Sequence, residues 1–185
     1  DVSLITATGG AGGDTLKIKA QTIGTNDANN ITGVEVIEAN SASATVFSLT
    51  LDDSSDFERI DLSADTTTAG ANVIDLTNNT EVTEVVGGAG VETIDTGVHA
   101  ELTIDAGAGN DVIDVNGTGT NGSVSEITIT LGAGTDTVNI KAGVVDATNA
   151  DSITITDFTA SDTLDLSAVN DGTNFTSQTV AESLI

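Results

Sequence analysis

The chain alternates aliphatic and polar residues in short runs of about five residues. In runs such as VETID at 91–95 and EITIT at 126–130, aliphatic or β-branched residues alternate with Asp, Glu or Thr. A period of two is that of a strand with one buried face. The pattern therefore predicts strands at residues 34–38, 46–51, 57–63, 72–77, 82–86, 91–96, 101–105, 111–115, 126–131, 136–140, 152–156 and 162–167.

The spacing of these runs indicates a repeat. Most runs begin about ten residues after the previous one, and Gly, Asn, Asp or Thr fills the gaps. Two strands per coil give a coil of about twenty residues, which favours stacked parallel coils. We therefore predict an all-β fold, a right-handed parallel β-helix or β-roll with glycine-rich turns. Only the tail at 177–185 has a pattern compatible with a short helix.

Composition narrows the possible functions. The chain has 4 Lys and Arg against 29 Asp and Glu, for a net charge of -25. Such a surface repels nucleic acid and anionic lipid and attracts cations. Cys is absent and His99, expected at the surface, is the single His, so a catalytic triad and thiolate or histidine metal clusters are excluded. No hydrophobic run reaches the length of a membrane span, which predicts no membrane insertion.

Four glycine-bearing turns, in the segments 9–18, 87–95, 106–115 and 131–140, share the pattern small-Gly-Ala-Gly-x-acid-x-aliphatic. Glycine tolerates the positive φ of a sharp turn that aims carbonyl oxygens inward. Calcium accepts six to eight oxygens, carbonyls as well as carboxylates. One turn cannot enclose an ion, so neighbouring coils must stack to complete the shell, which couples ion binding to folding.

These turns resemble the RTX family of secreted calcium-binding repeat proteins, and within it the bacterial surface-layer proteins. ITITDFTASDTLDLSAV at 153–169 is similar to a segment that often follows RTX repeats, and NNITGVEVIEAN at 29–40 resembles the strand ladders of surface-layer proteins. The resemblance implies Ca²⁺ as the bound ion. The implied acidic ligands are Asp14, Asp111, Asp136 and Glu92, which stands where the family has Asp. The implied turn carbonyls lie near Gly9, Gly10, Gly12, Ala106, Gly107, Gly109, Gly132 and Gly134.

Several other acids are weaker candidates. Asp105 and Asp157 immediately precede a turn and are the best of them. Asp95, Asp114, Asp162 and Asp165 lie on or beside strands, where outward, solvated positions are expected. The motif turns are 19 to 78 residues apart, so a few irregular sites are expected instead of a long regular array.

The domain prediction is one elongated solenoid over 1–185, cut from a longer protein. Within it, 1–85 form divergent coils with one glycine-rich turn, 86–141 form the RTX-like calcium-binding coils, and 142–185 form a C-terminal cap.

The resemblance implies a structural, non-enzymatic protein at the cell surface. It would be secreted, fold in extracellular calcium and assemble with its own copies into a surface layer, with cell-surface polysaccharide as a second candidate partner. The main alternative is an RTX module of a secreted adhesin, toxin or hydrolase. Ordinary tight turns, in which Asp only accepts backbone hydrogen bonds, are the non-metal alternative. Carboxylate pairs such as Asp111 and Asp114 lack the aromatic residues expected around a glycosidase site.

Overall fold

A computed structural model describes residues 6–19, 22–39, 46–53, 55–68, 70–116, 126–141 and 152–169. Nearly all of the regular structure in these ranges is β-strand, with one four-residue helix, α1. The elements in chain order are β1 Ala7–Thr8, β2 Thr15–Ile18, β3 Thr22–Ile23, α1 Thr25–Ala28, β4 Ile31–Thr32, β5 Val36–Ala39, β6 Ser48–Asp52, β7 Arg59–Asp61, β8 Ala71–Asn78, β9 Glu84–Val86, β10 Val91–Asp95, β11 Glu101–Asp105, β12 Val112–Val115, β13 Glu126–Thr130, β14 Thr137–Ile140, β15 Ser152–Ile155 and β16 Thr163–Asp165.

The strands form two seven-stranded parallel sheets within the described ranges. The first sheet has the order β15-β13-β11-β9-β7-β5-β2, and the second has the order β16-β14-β12-β10-β8-β6-β3. Successive strands from β5 onward alternate between the two sheets, so each coil adds one strand to each sheet. Strands β1 and β4 form a separate parallel pair. The predicted all-β fold of stacked parallel coils is confirmed.

Each of the twelve predicted runs overlaps an observed strand, and β1 to β4 and α1 precede the first of these runs. Strands β15 and β16 lie in the segment predicted as a cap. Each pairs with the preceding strand of its sheet, β13 or β14, and so extends that sheet by one strand. The tail at 177–185 lies outside the described residues. In the part of the chain that the structure describes, no helix combines the length and the apolar character needed to cross a membrane.

The coils differ in length and do not keep to the predicted value of about twenty residues. Hydrogen-bonded neighbours in adjacent coils are 19 residues apart between Glu92 and Asp111, and 26 apart between Asp136 and Asp162. The strands nevertheless stay in register, because additional residues lie between strands, as between the end of β12 and the start of β13.

The core consists of aliphatic columns that run through the stack. In the second sheet, Ile74, Ile94, Ile113 and Val138 are directly paired in register and fully buried. The alternate side chains on these strands point outward and are polar or only partly buried. Burying each such aliphatic side chain contributes about 1.5 to 3 kcal/mol. The last member of this column, Leu164, is only partly buried, since no described coil covers it.

Candidate metal site

Three of the four glycine motif turns stack on one another. The turns at 87–90, 106–110 and 131–135 each connect a strand of the first sheet to the following strand of the second sheet. Their backbones are joined directly: the N–H of Ala108 donates to the Gly88 carbonyl at 2.9 Å, and the N–H of Ala133 donates to the Gly107 carbonyl at 3.0 Å. The turns therefore form a continuous edge of the solenoid.

The glycines are required by the closeness of this stacking. A Cβ atom placed on Gly109 would lie 1.9 Å from the carbonyl oxygen of Gly90, and one placed on Gly134 would lie 1.5 Å from that of Gly109. Gly109 also has φ of 147°, in the region that favours glycine. Backbone carbonyls of one turn thus face the next turn without a side chain between them.

Next to this edge, five polar side chains occupy equivalent positions at the start of the second-sheet strands. We call this set the acid row, although its first member is an amide: Asn72, Glu92, Asp111, Asp136 and Asp162. Adjacent members are one strand spacing apart, about 4.8 Å.

A repeated hydrogen bond fixes the acid row. The N–H of Glu92 donates to Oδ1 of Asp111 at 2.8 Å, and the N–H of Asp111 donates to Oδ1 of Asp136 at 2.8 Å. The N–H of Asp136 donates to Oδ1 of Asp162 at 3.0 Å. Each aspartate therefore uses one oxygen to hold the coil before it.

The second oxygens of three acids are buried and have no partner. Glu92, Asp111 and Asp136 are at most 1% exposed. Their atoms Oε2, Oδ2 and Oδ2 find no hydrogen-bond partner among the described residues. An unsatisfied buried acceptor costs about 1 to 3 kcal/mol, and more when it is charged, so this row needs protons or a cation to be stable.

The acid row is electrostatically unfavourable when its buried carboxyl groups are all ionised. Burial raises the pKa of Glu92 to about 7, and the Asp111 charge adds to that rise. Burial raises the pKa of Asp111 to about 6, with a further rise from Asp136. The pKa of Asp136 is raised by burial and by the charges of Asp162 and Asp157. The charges of Asp111, Asp136 and Asp162 thus each make the preceding acid of the row harder to ionise, whereas the Glu92 side chain lowers the pKa of Asp111.

Basic side chains do not relieve this repulsion. The ion pairs in the described ranges join Lys17 to Glu38, Arg59 to Asp61 and Glu84, and Lys141 to Asp114. These pairs lie on or beside strands and include no carboxylate of the acid row.

The donor atoms of the acid row fit a hard cation. They are all oxygens, and Ca²⁺ takes six to eight carboxylate and carbonyl oxygens. No three His, Cys, Asp or Glu side chains converge on one point within the described residues, because each coil supplies one acid. An ion would therefore have to bind between coils. There, Glu92, Asp111 and Asp136 would hold it together with backbone carbonyls of the stacked turns.

The remaining predicted ligands do not all join this row. The turn at 9–14 precedes a first-sheet strand, so Asp14 and the glycines Gly9, Gly10 and Gly12 lie away from the acid row. There, Oδ2 of Asp14 accepts the N–H of Gly10 at 2.6 Å, and the N–H of Asp14 donates to Oε2 of Glu35 at 2.7 Å. Asp14 has the geometry of a turn-capping residue.

Other candidates contact the stacked turns. Asp157 accepts the N–H groups of Leu131 and Gly132, each at 2.8 Å, so both of its oxygens are engaged. Asp105 is exposed and accepts the N–H of Gly107 at 3.2 Å. Ala106 is buried, and its carbonyl oxygen lies 2.1 Å from the position of a Cβ on Gly87.

Sequence reasoning missed two members of this site, Asn72 and Asp65, and named a third, Asp162, only as a weaker candidate expected at an outward, solvated position. Asp162 belongs to the acid row, and its hydrogen bonds with Asp136 and Thr159 hold its pKa low although burial opposes this. Asn72 begins the row, and Asp65, which is fully buried, contacts it. A signal for Asp162 and Asn72 was present: like Asp136, each stands two residues before a buried or partly buried aliphatic side chain.

The expectation of a surface position for His99 is wrong. The ring is 1% exposed, and neither nitrogen has a hydrogen-bond partner among the described residues. The carbonyls of Thr96 and Val82 face the ring without reaching hydrogen-bonding geometry, and burial lowers the pKa of His99. Its flanking Gly97 and Ala100 indicate a turn, but in a solenoid a turn residue can point into the core.

No family model, curated protein or solved structure matches this chain.

Proposed function

We propose that this chain is a calcium-dependent structural module. Calcium bound along the acid row neutralises its buried carboxylates and joins successive coils, so the solenoid folds where calcium is abundant. The supporting observation is the alignment of three buried, unpartnered carboxylate oxygens, on Glu92, Asp111 and Asp136, beside stacked turn carbonyls.

Calcium suits these donors better than other common ions. The acid row offers oxygen atoms only, which disfavours zinc and copper. Magnesium demands near-octahedral geometry and keeps several waters, whereas calcium tolerates irregular shells. The irregular coil lengths, from 19 to 26 residues, favour the more tolerant ion.

The proposed setting is the outside of a bacterial cell. The resemblance of the turns to RTX surface-layer proteins supports a secreted, non-enzymatic role in an array built from copies of the chain, with cell-surface polysaccharide as a further partner. The net charge of -25 is compatible with a calcium-rich medium, where cations screen the self-repulsion. Low cytosolic calcium would leave the chain unfolded for export.

Calcium titration followed by circular dichroism tests this proposal. In chelator at pH 8 we expect a coil-like spectrum, and about millimolar calcium should produce a β spectrum. Equimolar magnesium should be much less effective. The double variant Asp111→Asn/Asp136→Asn should lose calcium binding in calorimetry, whereas the exposed control Asp105→Asn should keep it.

An unchanged β spectrum in chelator, with no heat of calcium binding, would overturn the proposed function. Electron microscopy of the calcium-loaded chain addresses the assembly role separately: ordered sheets or fibres support an array, and dispersed monomers support an isolated module.

A further inference from the structure

Asn72 occupies an acid row position but presents an amide. It is paired in register with Glu92, whose N–H in turn donates to Asp111. Oδ1 of Asn72 accepts the N–H of Phe47 at 2.9 Å, just as Oδ1 of Asp111 accepts the N–H of Glu92. The Nδ2 atom of Asn72 therefore stands where Asp111 and Asp136 have their unpartnered oxygens.

This amide nitrogen bridges two buried carboxylates. It donates to Oδ2 of Asp65 at 3.0 Å and to Oε1 of Glu92 at 2.8 Å. Asp65, Asn72 and Glu92 are all at most 1% exposed. The other oxygen of Asp65 accepts the N–H of Thr67 at 3.0 Å, so Asp65 has both oxygens satisfied. Two hydrogen bonds from the Asn72 amide therefore hold Asp65 and Glu92 together, a role that would otherwise require a cation.

The longer side chain at position 92 fits this arrangement. Oε1 of Glu92 accepts from Asn72 and, at 3.3 Å, from the N–H of Gly88 in its own turn. Oε2 is left over and unpartnered. Glu92 therefore has one oxygen bound to the Asn72 amide and one oxygen free to bind an ion in the acid row. The longer side chain of Glu allows both, which explains why the acid at this turn is not Asp.

At the opposite end of the acid row, both carboxylate oxygens of Asp162 also accept hydrogen bonds. Oδ1 of Asp162 accepts the N–H of Asp136, and Oδ2 accepts the N–H and the hydroxyl of Thr159, both at 2.8 Å. Within the acid row, the buried oxygens without a partner therefore belong to the three acids between Asn72 and Asp162.

We infer that the amide of Asn72 takes the place of a cation at its position, and that the series of ions bound along the acid row ends there. Its amide already donates hydrogen bonds to Asp65 and Glu92. Ions therefore bind only in the part of the acid row from Glu92 towards Asp162. The ion count rests on the proposed function; the amide bridge does not.

An exchange of amide and acid tests this inference. Asn72→Asp replaces the donor by an acceptor and should add one calcium per chain, whereas Asp111→Asn should remove at least one. Asn78→Asp is the matched control, since it makes the same change at an exposed position of the same strand β8. Calcium stoichiometry is measured by equilibrium dialysis at pH 8, where added carboxylates are ionised.

A second, metal-free measurement separates the inference from the proposed function. In chelator, an excluded osmolyte such as trimethylamine N-oxide drives folding, and circular dichroism gives its midpoint concentration. Asn72→Asp should need more osmolyte than Asn78→Asp. Asp111→Asn should need less than the unmodified chain, since it removes a buried carboxylate and its new amide can donate to the side chain of Glu92.

The outcomes are distinguishable. If the unmodified chain binds calcium and Asn72→Asp binds the same number, Asn72 does not end the row and the inference falls while the function stands. If no form binds calcium, the function falls, and with it the ion count. Equal osmolyte midpoints for Asn72→Asp and Asn78→Asp would overturn the amide bridge. If Asn72→Asp does not fold at any osmolyte concentration, the midpoint of Asp111→Asn decides. A midpoint below that of the unmodified chain supports the inference, and an equal or higher midpoint overturns it.

Discussion

Gly134 stacks on the neighbouring turn so closely that a Cβ atom would lie 1.5 Å from the Gly109 carbonyl oxygen. Gly134→Ala must push two backbone segments apart, so we expect it to destabilise the calcium-loaded fold by about 1 to 3 kcal/mol. Gly13→Ala is the control, because a Cβ there meets nothing within 4 Å. It should change the stability by less than about 0.5 kcal/mol. Urea denaturation in calcium measures both, and equal effects would contradict the stacked-turn geometry.

The residue scale also shows where sequence reasoning reaches its limit. Asp111 and Asp136 could be identified because a glycine-rich turn precedes each of them. Asn72 follows no such turn and carries no charge, so only the strand register places it in the row. Asp14 has the full local motif yet lies at another turn, because a local pattern does not state which turns stack.

At the scale of the strands, a column of aliphatic side chains holds each sheet. Ile113 in β12 is fully buried between Ile94 and Val138, whereas Leu164 in the end strand β16 is only partly buried. Ile113→Ala should therefore cost about 2 to 5 kcal/mol through lost burial and a cavity. Leu164→Ala should cost less than half as much. Denaturation of both variants in calcium checks this ordering, and a larger loss at Leu164 would show that further residues cover β16.

The strands themselves were predictable because their period of two is local. Runs such as 101–105 match the observed strand in both bounds. The two-residue strands β1, β3 and β4 were not recognised, since two residues cannot display an alternation. The pairing of strands with unequal separations was also beyond the sequence, because it depends on how many residues each turn accommodates.

On the scale of the whole molecule, net charge, buried acids and His99 together set the pH response. Without calcium, the raised pKa values of Glu92, Asp111 and Asp136 mean that the folded chain holds protons that the unfolded chain releases. Their contribution is fully present below about pH 4.5 for Glu92 and is lost as the pH rises towards 7. The buried neutral His99 acts in the opposite sense, since its contribution is lost as the pH falls below about 6.5.

These opposing signs lead to a prediction for the metal-free chain. In chelator, lowering the pH from 8 to 6.5 should shift the osmolyte midpoint for folding downward, because Glu92 and Asp111 take up protons while His99 stays neutral. Below about pH 6.5 the midpoint should continue to fall, with His99 offsetting part of the gain from the acids, and His99→Gln should make this fall steeper. Calcium competes with protons for the same oxygens, so saturating calcium should largely abolish this gain on acidification, and the stabilisation that calcium adds should grow as the pH rises from 6.5 to 8. Circular dichroism of both series measures the slopes; equal slopes with and without calcium would show that the ion does not bind at the acid row.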